Sequence, residues 1–125
     1  MKMTNQEIER ILNKLTKGHI ATFGKTVITV SNYNNTEENR QSSYFSIFDY
    51  DTPICTIAAK KEKDKFTYTG FICEGWKYSP TTIKHTKQAI RLTLMAIEVI
   101  FNEWVLYDDI MEILNNRYPT QFMGF

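Results

Sequence analysis

Residues 79–104 read SPTTIKHTKQAIRLTLMAIEVIFNEW. Ser79 is a favourable N-cap and Pro80 suits the first helical turn, so a helix is predicted to begin here. Apolar side chains then recur at helical spacing over roughly six turns. These are Ile83, Ile90, Leu94, Ile97, Phe101 and Trp104. We expect this stripe to be the buried side of a long C-terminal helix.

The middle of the chain has strand-like patterning instead. Short runs rich in Thr, Val, Ile and aromatic residues alternate with turn residues. Their bounds are about 20–23, 25–33, 43–50, 54–60 and 66–73. Gly24 is expected at a turn, Gly70 at a bulge, and residues 32–40 in a polar loop. Short strands that follow one another in sequence predict an antiparallel meander of five to six strands.

Two shorter helices flank this arrangement. Thr4 begins a capping-box pattern, and the apolar spacing after it predicts a first helix over about residues 5–16. A last helix should begin at Asp108 or Asp109. The expected fold is one α+β domain over residues 1–125. It has an N-terminal helix, the meander, and a C-terminal long helix plus a short helix.

Composition excludes several classes of protein. The chain has 125 residues, 42% of them hydrophobic, and a formal net charge of +1. This charge argues against coating of nucleic acid by bulk electrostatics, although it is compatible with a local basic patch. The N-terminal residues have no signal-peptide-like stretch, and no run approaches the ~18 apolar residues of a membrane span. We expect a cytoplasmic protein without a membrane partner, in which Cys55 and Cys73 are reduced.

Residues suited to catalysis or metal binding are few. His19 and His85 are the only histidines, and no nucleophile–base, phosphate-loop or zinc spacing is present. Asp108, Asp109 and Glu112 could hold Mg²⁺ together with a phosphate. They are also where a helix dipole favours acids. We therefore expect a protein that is not an enzyme and has no cofactor or metal.

The start of the long helix is the best candidate for a binding site. Its first turns carry cations where the dipole disfavours them, at up to roughly 1 kcal/mol each, and free N–H groups there favour an anion. The assigned anion- or partner-binding residues are Trp76, Tyr78, Ser79, Thr81, Thr82, Lys84, His85, Lys87 and Arg91. Trp76 could stack on a nucleic-acid base. The alternative makes Ser79 an ordinary cap, the cations a solvated face and the aromatic side chains part of the core.

The C-terminal residues Phe122, Met123 and Phe125 would be unfavourable in water if left free. We expect them to dock on the domain or on a second subunit. A homodimer is the simplest arrangement that buries them.

Two segments together resemble a known family. They are FDYDTPIC at residues 48–55 and WKYSPTTIKH at residues 76–85. The pattern is similar to a small domain of unknown function in proteins of phages and mobile elements of Gram-positive bacteria. The resemblance covers roughly residues 44–90. It implies no catalytic residues, but it implies a setting in which small proteins often act on host machinery.

Two functional hypotheses follow. The first is a non-enzymatic phage or mobile-element accessory protein that binds a host protein in the bacterial cytoplasm. Its concrete form is an inhibitor of an antiviral defence nuclease, in the manner of an anti-CRISPR protein. The alternative is a small nucleic-acid or nucleotide-binding protein that uses an anion site at the start of the long helix.

Overall fold

The computed structural model describes residues 2–73 and 78–115. Its elements are α1 (Asn5–Thr16), β1 (Ala21–Phe23), β2 (Thr26–Asn35), β3 (Arg40–Asp49), β4 (Thr52–Glu62), β5 (Lys65–Ile72), α2 (Pro80–Phe101) and α3 (Tyr107–Asn115). The five strands form one sheet in sequence order, and every neighbouring pair is antiparallel. The predicted α+β class and meander are confirmed.

The helices pack on one face of the sheet, which we call the inner face. Alternation along β3 directs Phe45 and Ile47 to this face, where both are fully buried. Phe66 of β5 also faces inward and contacts Phe101 of α2, with ring centroids 5.5 Å apart. The predicted stripe of α2 lies in the same core from Ile83 to Phe101. The core is therefore a single layer between the inner face and the helices.

Local signals set the helix starts as predicted. Thr4 caps α1 through a complete capping box with Glu7. Ser79 caps α2, and Pro80 occupies its first turn. The helix α3 begins at Tyr107, one residue before the predicted Asp108.

The predicted polar loop at residues 32–40 is mostly strand, so that prediction was wrong. β2 continues to Asn35 and β3 starts at Arg40, with a tight turn over residues 36–39. Asn35 pairs with Arg40, and Asn39 adopts a left-handed φ of 50°. Hydrogen bonds of the ladder outweigh the low strand propensity of asparagine here.

Gly70 has a different role from the predicted bulge. It pairs with Ile57 in a regular stretch of the β4–β5 ladder, whereas the register shifts on β3 and β4, between Ile47 and Phe48. A Cβ atom at Gly70 would lie 3.0 Å from the Thr56 carbonyl oxygen and 3.1 Å from Cδ2 of Leu114. Glycine is needed here because α3 packs directly on β5.

Trp104 does not continue the buried stripe. α2 ends at Phe101, and Asn102 takes the left-handed conformation at the C-cap with φ 54°. Beyond this residue the helical period no longer applies. Trp104 is 73% exposed.

We predict that Gly70→Ala lowers the free energy of unfolding by about 1–2 kcal/mol. Overpacking typically costs ~1–3 kcal/mol, and the lower backbone entropy of alanine offsets only ~0.5–1 kcal/mol of it. Urea denaturation followed by circular dichroism measures the difference. In a Leu114→Ala background the same substitution should cost less, because one of the two close contacts is gone. A Gly70→Ala variant as stable as the parent chain would contradict this description of the α3–β5 contact.

Candidate functional site

A groove of about 810 Å³ lies between the start of α1 and the first half of α2. Its lining residues are Lys2, Met3, Asn5, Ile8, Thr81, Lys84, His85, Lys87, Gln88, Arg91, Leu92 and Met95. A smaller cavity of about 100 Å³, which Glu7 also lines, reaches the β1–β2 turn at Gly24. It shares Lys2, Met3, His85 and Gln88 with the groove. The volume of the groove is typical of small-molecule sites, which measure about 300–1,000 Å³.

Five of the nine predicted site residues line this groove: Thr81, Lys84, His85, Lys87 and Arg91. They come together because residues three, four and seven apart share one side of a helix. The predicted cations Lys84, Lys87 and Arg91 thus lie on one wall of a concave surface. The opposite wall comes from α1 and the residues before it.

The other four predicted residues do not line the groove or are not described. Ser79 Oγ accepts a hydrogen bond from the Thr82 N–H at 3.1 Å and lies 3.2 Å from Thr82 Oγ1, so both residues serve the helix cap. The Tyr78 hydroxyl donates to the Cys73 carbonyl oxygen at 3.1 Å, beside the core. Trp76 lies outside the described residues.

The first turn of α2 therefore offers few backbone donors to an anion. Pro80 has no N–H, and the N–H of Thr82 is already bound by Ser79. Binding of an anion in the groove would depend on side chains rather than on the helix terminus.

A buried polar network that the sequence analysis missed lies behind His85, beneath the lining of the groove. The side chain of Asp49, at the end of β3, is fully buried. Its Oδ1 accepts a hydrogen bond from Thr26 Oγ1 at 3.0 Å. Nδ1 of His85 lies 3.2 Å from each of the two carboxylate oxygens. The network joins β2, β3 and α2.

This contact determines which nitrogen of His85 is available to a ligand. A carboxylate only accepts hydrogen bonds, so Nδ1 must carry the proton that is shared with Asp49. Nε2 is then left for the groove, where the ring is one-third exposed. In many catalytic and metal-binding sites a carboxylate likewise accepts a hydrogen bond from one ring nitrogen of a histidine and leaves the other nitrogen for the ligand.

The turn that follows β3 holds the ring of His85 from another side. Tyr50 and Asp51 both have left-handed φ values, 50° and 65°, and they link β3 to β4. The Tyr50 N–H donates to the Lys25 carbonyl oxygen at 3.0 Å. The Tyr50 ring stacks on His85 with centroids 6.2 Å apart and planes 30° apart. His85 is thus oriented by both a hydrogen bond and a stacked ring.

Positive charge is concentrated in the groove. Lys2, Lys84, Lys87 and Arg91 line it, and no carboxylate does so among the described residues. Because the whole chain carries a net charge of only +1, this is a local excess. Apolar side chains line both walls, with Met3 on the side of α1 and Met95 on α2. The groove can therefore offer an anion several cations beside apolar side chains.

The guanidinium of Arg91 is held in place by an aromatic ring. Its Cζ lies 3.8 Å from the centroid of the Tyr107 ring, at the start of α3. Burial raises the pKa of the Tyr107 phenol, which therefore stays neutral beside the cation. Contact with α3 thus fixes one edge of the groove.

Other reactive groups lie away from this site or are unreactive. Both cysteines are free, and burial raises the pKa of the Cys55 and Cys73 thiols, which makes them poor nucleophiles. Within residues 2–73 and 78–115, no three His, Cys, Asp or Glu residues are grouped so that they could hold a metal ion. None of the described helices has the length and apolar character needed to span a membrane.

Sequence signals for part of this site existed. Strand alternation places Asp49 on the same side of β3 as Phe45 and Ile47, and an acid at an inward position needs a partner. Lys2 and Met3 gave no such signal. They reach the groove only because α1 packs against α2.

Compared with known proteins, the chain matches no family model, no curated protein and no solved structure. The resemblance to a phage-borne domain therefore stays a prediction. Functional inference depends on the geometry of the groove.

We predict that neutral His85 carries its proton on Nδ1, and that Asp49→Ala removes this preference. The variant should also lose about 1–3 kcal/mol of stability, because it leaves the Thr26 hydroxyl and the His85 N–H without their acceptor. Nitrogen-15 NMR of the imidazole rings reports the tautomer. Exposed His19 is the internal control and should not change. A parent chain in which Nε2 of His85 carries the proton would contradict the Asp49 contact.

Proposed function

We propose that this protein is a non-enzymatic binding protein whose α1–α2 groove holds the phosphate of a nucleotide or of nucleic acid. One observation carries the proposal. The groove combines four cationic side chains with an oriented histidine and contains no carboxylate among its described lining residues.

The chemistry of the groove suits phosphate in particular. Lysine supplies a compact charge, and the planar guanidinium of Arg91 can bind two oxygens at once. The hydroxyl of Thr81 can donate a hydrogen bond without adding charge. The apolar side chains of Met3 and Met95 offer a surface for a base or sugar next to the phosphate.

Binding without catalysis is the better interpretation of this site. His85 could act as a general base, but hydrolysis also needs a positioned nucleophile and stabilisation of the leaving group. Thr81 is the one hydroxyl side chain among the described groove residues, and no acid lines the groove with it. The oriented Nε2 of His85 is better suited to recognition.

We predict that a short single-stranded oligothymidylate binds with an affinity that falls as salt rises from about 50 to 200 mM. Lys84→Gln combined with Arg91→Gln should weaken binding at least tenfold. The salt slope should become shallower by about 1.4, since each of the two lost phosphate contacts on a single strand removes ~0.7 from it. Fluorescence anisotropy measures both quantities.

Lys63→Gln combined with Lys65→Gln is the matched control. It removes the same charge from the exposed β4–β5 turn, and Lys61 at that end of β4 contacts the last turn of α2 rather than its start. This control should keep the affinity of the parent chain. Equal losses in both double variants, or no binding by the parent chain, would overturn the proposed groove.

A second candidate function is modulation of a host protein, such as inhibition of a bacterial defence nuclease. Exposed apolar side chains at the end of α2 favour it: Val99, Trp104 and Leu106 are each more than 60% exposed. Tryptophan is enriched among the residues that dominate protein interfaces. The resemblance to phage-borne domains supports the same setting.

For this second candidate we predict that the purified protein forms a stable complex with a defence nuclease effector and blocks its cleavage. Trp104→Ala should weaken inhibition at least tenfold, because truncating a central aromatic at an interface costs about 2 kcal/mol or more. The Lys84 and Arg91 double variant should inhibit normally. Absence of a complex, or inhibition that depends on Arg91 and not on Trp104, would contradict it.

A further inference from the structure

The side of the sheet opposite the helices, which we call the outer face, is open in the described part of the chain. Alternation along the strands directs Tyr33, Tyr44 and Phe71 to it, and each is more than half exposed. Antiparallel open sheets tolerate one solvated face, but that face is then usually polar and charged. Three exposed aromatic rings on one face call for a partner.

Strand register shows how these side chains are arranged. Ser46, Thr56 and Phe71 lie side by side across β3, β4 and β5. Tyr44, two residues from Ser46 on the central strand β3, lies in the next row opposite Ala58. The middle of the outer face thus carries aromatic rings, hydroxyls and a methyl group, with no charge among them.

Charged residues lie only toward one end of the outer face. Lys60 pairs with Glu62 at 3.1 Å, and Glu62 also pairs with Arg40 at 3.0 Å. Both signs are present, with Arg40 and Lys60 on either side of the Glu62 carboxylate and Lys65 opposite it on β5. An uncharged centre with a mixed-charge rim is the usual plan of a protein interface.

We propose that the outer face binds the same face of a second copy of this chain. A two-fold dimer requires a patch that complements itself, and hydroxyl groups meet this requirement because they both donate and accept hydrogen bonds. Nucleic acid fits poorly, because the centre of the face, where the aromatic rings lie, offers a phosphate no cation.

The size of the face is consistent with a dimer. Strand spacing of ~4.8 Å and a rise of ~3.3 Å per residue give an outline of about 20 by 25 Å across β2 to β5. Side chains project from the sheet, so the solvent-accessible area of the outer face is larger than this outline. This accessible area approaches the ~800 Å² per partner of a standard interface. Two sheets would pack face to face about 10 Å apart, with Tyr44 near the centre.

The dimer is independent of the proposed groove. Thr81, Lys84 and Arg91 lie on α2, which covers the inner face, so the groove stays open in such a pair. Each dimer would present two grooves to solvent, one on the helical side of each copy.

Sedimentation equilibrium over a wide range of protein concentration tests the proposal. We expect the parent chain to dimerise, and Tyr44→Arg to weaken dimerisation at least tenfold by burying a charge at the centre of the interface. Phe71→Arg is a second variant with the same expected result. Val99→Arg places the same charge on an exposed apolar site of α2 and should dimerise like the parent chain.

Circular dichroism and thermal melting establish that each variant is folded. A parent chain that stays monomeric at the highest concentration would overturn the proposal. So would a dimer that survives both Tyr44→Arg and Phe71→Arg, since its interface would then lie elsewhere. Loss of the dimer in Val99→Arg alone would assign the interface to the helical side, and a monomer whose Tyr44 contacts an oligonucleotide or another protein would assign the face to that partner.

Discussion

The buried contact between Asp49 and His85 is the constraint on which the arrangement of the site depends. It joins the last residue of β3 to the second turn of α2, across two regions far apart in sequence. A buried carboxylate needs hydrogen-bond donors, and leaving a buried donor or acceptor without its partner typically costs about 1–3 kcal/mol. The hydrogen bond between His85 and the Asp49 carboxylate therefore fixes where α2 begins to cross the sheet.

The groove follows from this placement. With the start of α2 held against the end of β3, the α2 residues on the side toward α1 cannot be covered by the sheet. Arg91 gains a second support from the ring of Tyr107. Arg91 is thus held by a tertiary contact, and Lys84 lies near the end of the helix where the dipole disfavours a cation. Tolerance of an unfavourable charge placement is typical of functional sites, where local rules are broken and other contacts compensate.

Features set by short-range chemistry were predictable from sequence. The caps at Thr4 and Ser79, the turn at Gly24 and the stripe of α2 up to Phe101 all follow from a few neighbouring residues. Features that need contacts across the fold were not predictable. Trp104 was predicted to lie on the apolar stripe, but α2 ends before it, with Asn102 as the C-cap. This end was missed because a left-handed C-cap residue other than glycine gives only a weak sequence signal.

The same division applies to the site. Helical spacing alone grouped Lys84, Lys87 and Arg91, because residues on one side of a helix are neighbours whatever the fold. It could not show that Asp49 would meet His85, since that contact depends on the packing of α2 over the sheet. The Ser79 cap was predictable, and its hydrogen bond from the Thr82 N–H moves the candidate site from the helix terminus to the groove.

The central claim is that the cations of this groove act together on one anionic ligand. Titration of the nitrogen-15-labelled chain with inorganic pyrophosphate, followed by backbone amide NMR, tests it most directly. The account predicts saturable shifts that are largest at Thr81, Lys84, His85 and Arg91, together with a change at the His85 ring. Shifts that are absent, or that are largest at the exposed β4–β5 turn, would contradict it.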